Sequence, residues 1–87
     1  MALKKDYSYG SVSGNYWKII GNHSNTMYSA TVVRIALYEN QEARTRDEAG
    51  YIKVLPISIP GPDHTRATAY AELKKRPEFE GAEDIWD

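Results

Sequence analysis

The stretch Tyr28–Glu39, Y-S-A-T-V-V-R-I-A-L-Y-E, does most to limit what this chain can fold into. Side chains alternate across a strand, so Thr31, Val33, Ile35 and Leu37 share one face while Ala30, Val32, Ala36 and Tyr38 share the other. Arg34 interrupts the second face, which predicts that this face is only partly covered. A strand apolar on both sides belongs inside a sheet or beneath a partner. The rest of the chain must therefore supply flanking strands and a cover.

Two segments fit as flanking strands. Asn15–Ile20 (N-Y-W-K-I-I) is aromatic and β-branched, and Gly21–Met27 after it carries the Gly and Asn residues of a turn. Tyr51–Ile59 (Y-I-K-V-L-P-I-S-I) reads as a strand with Tyr51, Leu55, Ile57 and Ile59 on one face. Pro56 cannot donate a ladder hydrogen bond, which places that strand at an edge or a bulge, and Pro60-Gly61-Pro62 ends it. The charged connection Asn40–Gly50 is read as an exposed hairpin loop, with a helical turn as the alternative. Met1–Gly14, rich in Tyr, Ser and Gly and without periodicity, is read as a flexible arm. Tyr7, Tyr9 and Val12 make it more apolar than an ordinary disordered tail.

A helix follows the proline-rich break. Asp63 or Thr65 can cap its first turn, and Tyr70 and Leu73 form an apolar stripe at i, i+3. Lys74, Lys75 and Arg76 suit the carbonyl end of the helix dipole, and Pro77 stops the helix. Phe79 and Ile85 are expected to extend the contact with the sheet. The expected fold is α+β: a small antiparallel sheet of three to four strands with one C-terminal helix packed on one face. Residues 15–87 would form that single domain, ending in an acidic tail.

Composition removes several function classes. Eleven basic and twelve acidic residues give a net charge of −1, so no overall field draws the chain to nucleic acid or anionic lipid. No apolar run approaches the roughly 18–20 residues of a membrane span. With no cysteine and two histidines there is neither a disulfide nor a zinc set, and no cofactor is expected. A chain of this size buries only about 60–65% of its unfolded surface, which leaves packing against other subunits as a common route to stability.

No catalytic signature emerges. His23 lies in a polar turn and His64 near the helix start, each alone; Asp63 beside His64 serves no nucleophile motif. The tail carries Glu78, Glu80, Glu83, Asp84 and Asp87 without calcium-loop spacing, and Trp86 stands among them as an anchor of the kind enriched at binding hot spots. Seven tyrosines could stack single-stranded bases with Arg44 and Arg46 nearby, but a net negative chain favours protein interfaces, which tyrosine serves equally well. The residues expected at such an interface are Tyr7, Tyr9, Tyr51, Lys53, Glu83, Asp84 and Trp86.

Two stretches carry a resemblance. Ala30–Arg46 (A-T-V-V-R-I-A-L-Y-E-N-Q-E-A-R-T-R) and Ala69–Ile85 (A-Y-A-E-L-K-K-R-P-E-F-E-G-A-E-D-I) resemble a group of small proteins encoded by tailed bacteriophages and prophages. The matching positions are Leu37-Tyr38, Ala43-Arg44, Ala69-Tyr70, Leu73-Lys74 and Phe79-Glu80-Gly81-Ala82; the resemblance covers residues 15–87 and leaves the first fourteen outside. It implies a structural or accessory component of a virion, in the tail, baseplate or connector region. Its partners would be other virion proteins and copies of itself, met in the bacterial cytoplasm during assembly. A phage-encoded inhibitor of a host protein is the alternative.

Overall fold

The computed structural model describes residues 1–25, 27 and 29–86; Thr26, Tyr28 and Asp87 lie outside the described residues, as does the Asn25 side chain. The elements run β1 (Ala2–Tyr9), β2 (Val12–Asn25), β3 (Ala30–Tyr38), α1 (Gln41–Arg46), β4 (Lys53–Pro60), α2 (Arg66–Lys74) and β5 (Glu83–Ile85). A 3-10 turn at Pro77–Phe79 separates the last two. The strands form one antiparallel sheet in the order β4-β3-β2-β1-β5. The α+β class holds, with five strands and two helices among the described residues rather than three to four strands and one helix.

The two-faced strand sits where its pattern requires. β3 lies in the interior of the sheet, Thr31, Val33, Ile35 and Leu37 are buried on one face, and Arg34 is exposed on the other. The first face carries the main core: Leu3, Trp17, Ile19, Ile57 and Ile59 from the neighbouring strands, closed by Ala69, Tyr70 and Leu73 of α2 and by Phe79. The second face carries a smaller cluster of Ala2, Tyr16, Ala36 and Tyr38, with Val54 and Ile85 packed against it. Ile85 was expected to support the helix; it lies on the opposite side, because its pairing with Ala2 sets its face.

The largest departure from expectation concerns the first fourteen residues. They are not an arm: Ala2–Tyr9 is a strand, and Val12–Gly14 begins the next. Gly10 takes a φ of +61° in the two-residue turn that pairs Tyr9 with Val12. A glycine at the first position of such a turn suits the type II′ geometry that matches strand twist. Leu3 and Ala2 then drop into opposite faces, both fully buried. The connection between β3 and β4 contains a short helix, its N-terminus capped by the Asn40 side chain, which accepts from the Ala43 amide at 2.9 Å.

The C-terminal half is punctuated as its residues suggest, with one change. Thr65, not Asp63, caps α2, in a reciprocal arrangement with Thr68. Asp63 instead takes a left-handed φ of 59° and donates its amide to Ser24 Oγ at 2.9 Å. Pro77 ends the run and starts the turn that swings Phe79 back beneath Trp17.

Candidate interaction surface

A sheet of five strands has two outer edges, and each leaves backbone groups without a ladder partner. β4 is one of them, as Pro56 predicts. Its register fixes which groups point outward. The Gly61 amide bonds the Ser29 carbonyl at 2.8 Å, so in the alternation of an antiparallel ladder Leu55, Ile57 and Ile59 turn their backbone groups toward β3. Val54, Pro56, Ser58 and Pro60 turn theirs outward. Two of those four are prolines, which have no N–H to offer. Two of the four outward carbonyls are taken: Pro60 O accepts from His64 Nε2 at 2.6 Å, and Ser58 O accepts from Arg76 at 3.4 Å. This edge is guarded against strand addition. His64 thus holds a structural place, with Nδ1 3.0 Å from the Thr68 hydroxyl.

β5, the other outer edge, is three residues long. Short edge strands are themselves a protection. A third flank is less obvious. β2 runs to Asn25, but β1 pairs with it only from Val12 to Trp17, so among the described residues the last part of β2 has β3 on one side and no strand on the other. By the same alternation the Asn22 and Ser24 backbone groups face that side, while the Asn22 side chain donates to the His64 carbonyl at 3.3 Å and Ser24 Oγ accepts from the Asp63 amide at 2.9 Å. The Ile19 amide, at its start, is satisfied by the Tyr70 hydroxyl at 2.7 Å. No proline or lysine guards Ile20–Asn25.

Next to this flank lies an open cleft of about 510 Å³, lined by Lys18, Ile20, Tyr38, Arg44, Tyr51 and Arg66 together with Glu48. The connection after α1 forms one wall: Tyr38 donates its hydroxyl to the Glu48 carbonyl at 2.6 Å, and the Tyr51 ring meets the Tyr38 ring edge to face at 6.2 Å. Burial holds the Tyr38 phenol above its usual ionisation range, opposed by the positive charge of Arg44 and reinforced by the negative charge of Glu48. Lys18, Arg44 and Arg66 line the cleft with Glu48; Arg44 Nη2 lies 3.4 Å from Glu48, and Lys18 Nζ donates to the Met1 carbonyl at 3.2 Å. Arg44 Nε is buried and has no hydrogen-bond partner among the described residues.

The residues expected at an interface are spread over the molecule rather than gathered. Tyr7 packs its edge on Trp17 at 5.6 Å, and Lys53 Nζ lies 5.9 Å from the Tyr7 ring centre, so these two are brought together over the main core. Tyr9 is 77% exposed beside the β1–β2 turn. Tyr51 does not share a face with Leu55, Ile57 and Ile59; β4 begins only at Lys53, and its ring lies against Tyr38 of the second cluster. Glu83 and Asp84 belong to β5, opposite Lys4 and Leu3, and Asp84 is ion-paired to Lys74 at 2.9 Å. Trp86 is 77% exposed just beyond that strand.

The cations at the end of α2 are also engaged internally. Lys75 pairs with Glu72 at 2.9 Å and Arg76 with Glu78 at 3.4 Å. Sequence reasoning missed the cleft because Lys18, Arg44 and Arg66 are far apart along the chain, and no spacing joins them. Among the described residues no group of three His, Asp or Glu side chains could hold a metal ion, and no helix is long and apolar enough to cross a membrane. No family model, no curated protein and no solved structure matches this chain.

Proposed function

We propose that this chain is a non-enzymatic assembly protein that works by protein–protein contact, as a component of a tailed-phage particle. The observation that carries the contact reading is the unequal treatment of its sheet. The β4 edge is closed by two prolines, His64 and Arg76, while on the β2 flank the outward backbone groups of Asn22 and Ser24 meet no strand among the described residues, although their side chains bond His64 and Asp63. Guarding one edge more fully than another is how a sheet protein limits association to a chosen surface. The exposed Trp86 adds a second contact point of the type that dominates interface energetics.

The particle assignment rests on the resemblance of Ala30–Arg46 and Ala69–Ile85 to small proteins of tailed phages and prophages. A nucleic-acid role is disfavoured by the pairing of Arg44, Lys74, Lys75 and Arg76 with carboxylates. Mass spectrometry of particles purified from a host that produces this chain tests the assignment. A fixed stoichiometry in the particle supports it. Absence from the particle, with the chain recovered on a host protein, would replace it with the inhibitor reading.

A further inference from the structure

The outward groups on the flank of β2 are complementary to a copy of themselves. Asn22 and Ser24 turn their N–H and C=O away from β3, while His23 between them turns its own toward Val32. Two such stretches laid antiparallel and centred on His23 set Asn22 of one copy opposite Ser24 of the other. Residues opposite each other in that position exchange two hydrogen bonds, so the two pairings supply about four. Side chains on the core side of the sheet match as well. The Asp63 amide is held on Ser24 Oγ, and the His64 carbonyl on the Asn22 amide. Ser24 lies opposite Asn22 across the two-fold axis, so Asp63 of each copy comes beside the start of α2 of the other, where Arg66 stands. Asp63 and Arg66 are both exposed, and neither is in an ion pair among the described residues. Ile20, 37% exposed, and Met27, 81% exposed, flank the stretch at its two ends, which antiparallel pairing brings together.

We propose that the chain forms a two-fold dimer in which Asn22–Ser24 of β2 pairs antiparallel with the same residues of a second copy. The assignment rests on the contact reading given above and names its partner. Charge complementarity selects this occupant, because the axis sets Asp63 against Arg66 twice. Centring on His23 also matches both outward residues of each copy, which a centre on Asn22 or Ser24 would not. The same surface is used by both copies, so the contact closes at two. The guarded β4 edge and the three-residue β5 keep the joined sheet from growing further.

Disulfide trapping tests this cleanly, since the chain has no cysteine. His23 meets its symmetry mate in the position without hydrogen bonds, where Cα atoms lie about 4.5 Å apart, within the span of a disulfide. Both His23 and Ser58 are exposed, and Ser58 lies on the guarded β4 edge. Under mild oxidation His23→Cys is expected to cross-link to a dimer about tenfold faster than Ser58→Cys, through the raised effective concentration at the axis. Sedimentation velocity supplies the second readout. Ser24→Ala loses the hydroxyl that holds Asp63 but keeps the N–H, and is expected to dimerise. Ser24→Pro loses the N–H as well and is expected to stay monomeric with an unchanged circular dichroism spectrum. Asp63→Arg and Arg66→Asp are each expected to weaken the dimer by about tenfold, since two pairs become repulsive at once. Mixing these two variants should restore it, because each then faces the opposite charge. Equal cross-linking of the two cysteine variants, a parent chain monomeric at every concentration, or a charge-swapped mixture no tighter than its components would each overturn the proposal. None of those results touches the presence of the chain in particles, which the stoichiometry measurement reads separately.

Discussion

Trp17 and Phe79 meet edge to face, ring centres 5.1 Å apart and planes at 86°. Trp17 also donates its indole N–H to the Lys5 carbonyl at 3.0 Å and takes the Tyr7 ring on its edge. One side chain of β2 therefore fixes both the first strand and the turn after α2. Phe79→Ala empties the space beneath it and is expected to cost about 3–5 kcal/mol. Against a total of roughly 5–15 kcal/mol for a domain, that is a large share. Urea unfolding followed by Trp17 emission measures it; a loss below about 1 kcal/mol would show that the ring pair is not a core contact.

Gly14 and Gly21 both lie in β2 but face different surroundings. A Cβ at Gly14 would come within 2.5 Å of the Tyr38 carbonyl oxygen and 3.1 Å of Leu37 Cδ1, so backbone must move to admit it. At Gly21, where the β2–β3 register shifts, nothing lies within 4 Å. Gly14→Ala is expected to destabilise by about 1–3 kcal/mol. Gly21→Ala is expected to be neutral or to stabilise by up to about 1 kcal/mol, through a less disordered unfolded chain. Thermal unfolding of the two variants side by side checks the ordering.

Pro56 faces Arg34 across the β3–β4 ladder with its nitrogen on the outer side. Pro56→Val returns an N–H to the guarded edge without disturbing an internal hydrogen bond. The folded chain is expected to keep its stability within about 1 kcal/mol while gaining a tendency to associate edge to edge. Light scattering at matched concentrations should show the variant forming larger species than the parent. Equal scattering would mean that the proline does not protect the edge.

Tyr38 gives the molecule an alkaline limit. Its phenol ionises at about 10.0 when free and higher when folded, because burial penalises the charged form. The sign follows from linkage. Between those two values the unfolded chain has released the proton and the folded one has not, so stability falls as pH rises through that window and is unaffected below it. Tyr38→Phe is expected to lose about 0.5–1.5 kcal/mol at neutral pH with the Glu48 hydrogen bond, and to decline less steeply above pH 10. Phenolate absorbance should show its late-titrating component gone.

Where the sequence was legible, a single physical signal decided the element. Two-sided alternation placed β3 inside the sheet, Pro56 placed β4 at an edge, and the stretch from Thr65 to Pro77 bounded α2. The first strand was misread because its composition of Tyr, Ser and Gly resembles a linker. The informative signal was local: Gly10-Ser11 between Tyr9 and Val12 is a two-residue hairpin turn, and it makes strands of what flanks it. Other features lay beyond any local signal. The side of the sheet taken by Ile85 depends on β5 pairing with Ala2, at the other end of the chain. The cleft likewise exists only once Lys18, Arg44 and Arg66 have been brought together by long-range pairing.

Hydrogen–deuterium exchange, compared between dilute monomer and associated protein, separates the open surface from the guarded one most directly. Contact through the flank of β2 predicts new protection at Lys18–Asn25, with exchange at the outward amides of Val54 and Ser58 unchanged. New protection confined to Lys53–Pro60, with Lys18–Asn25 unaltered, would contradict it.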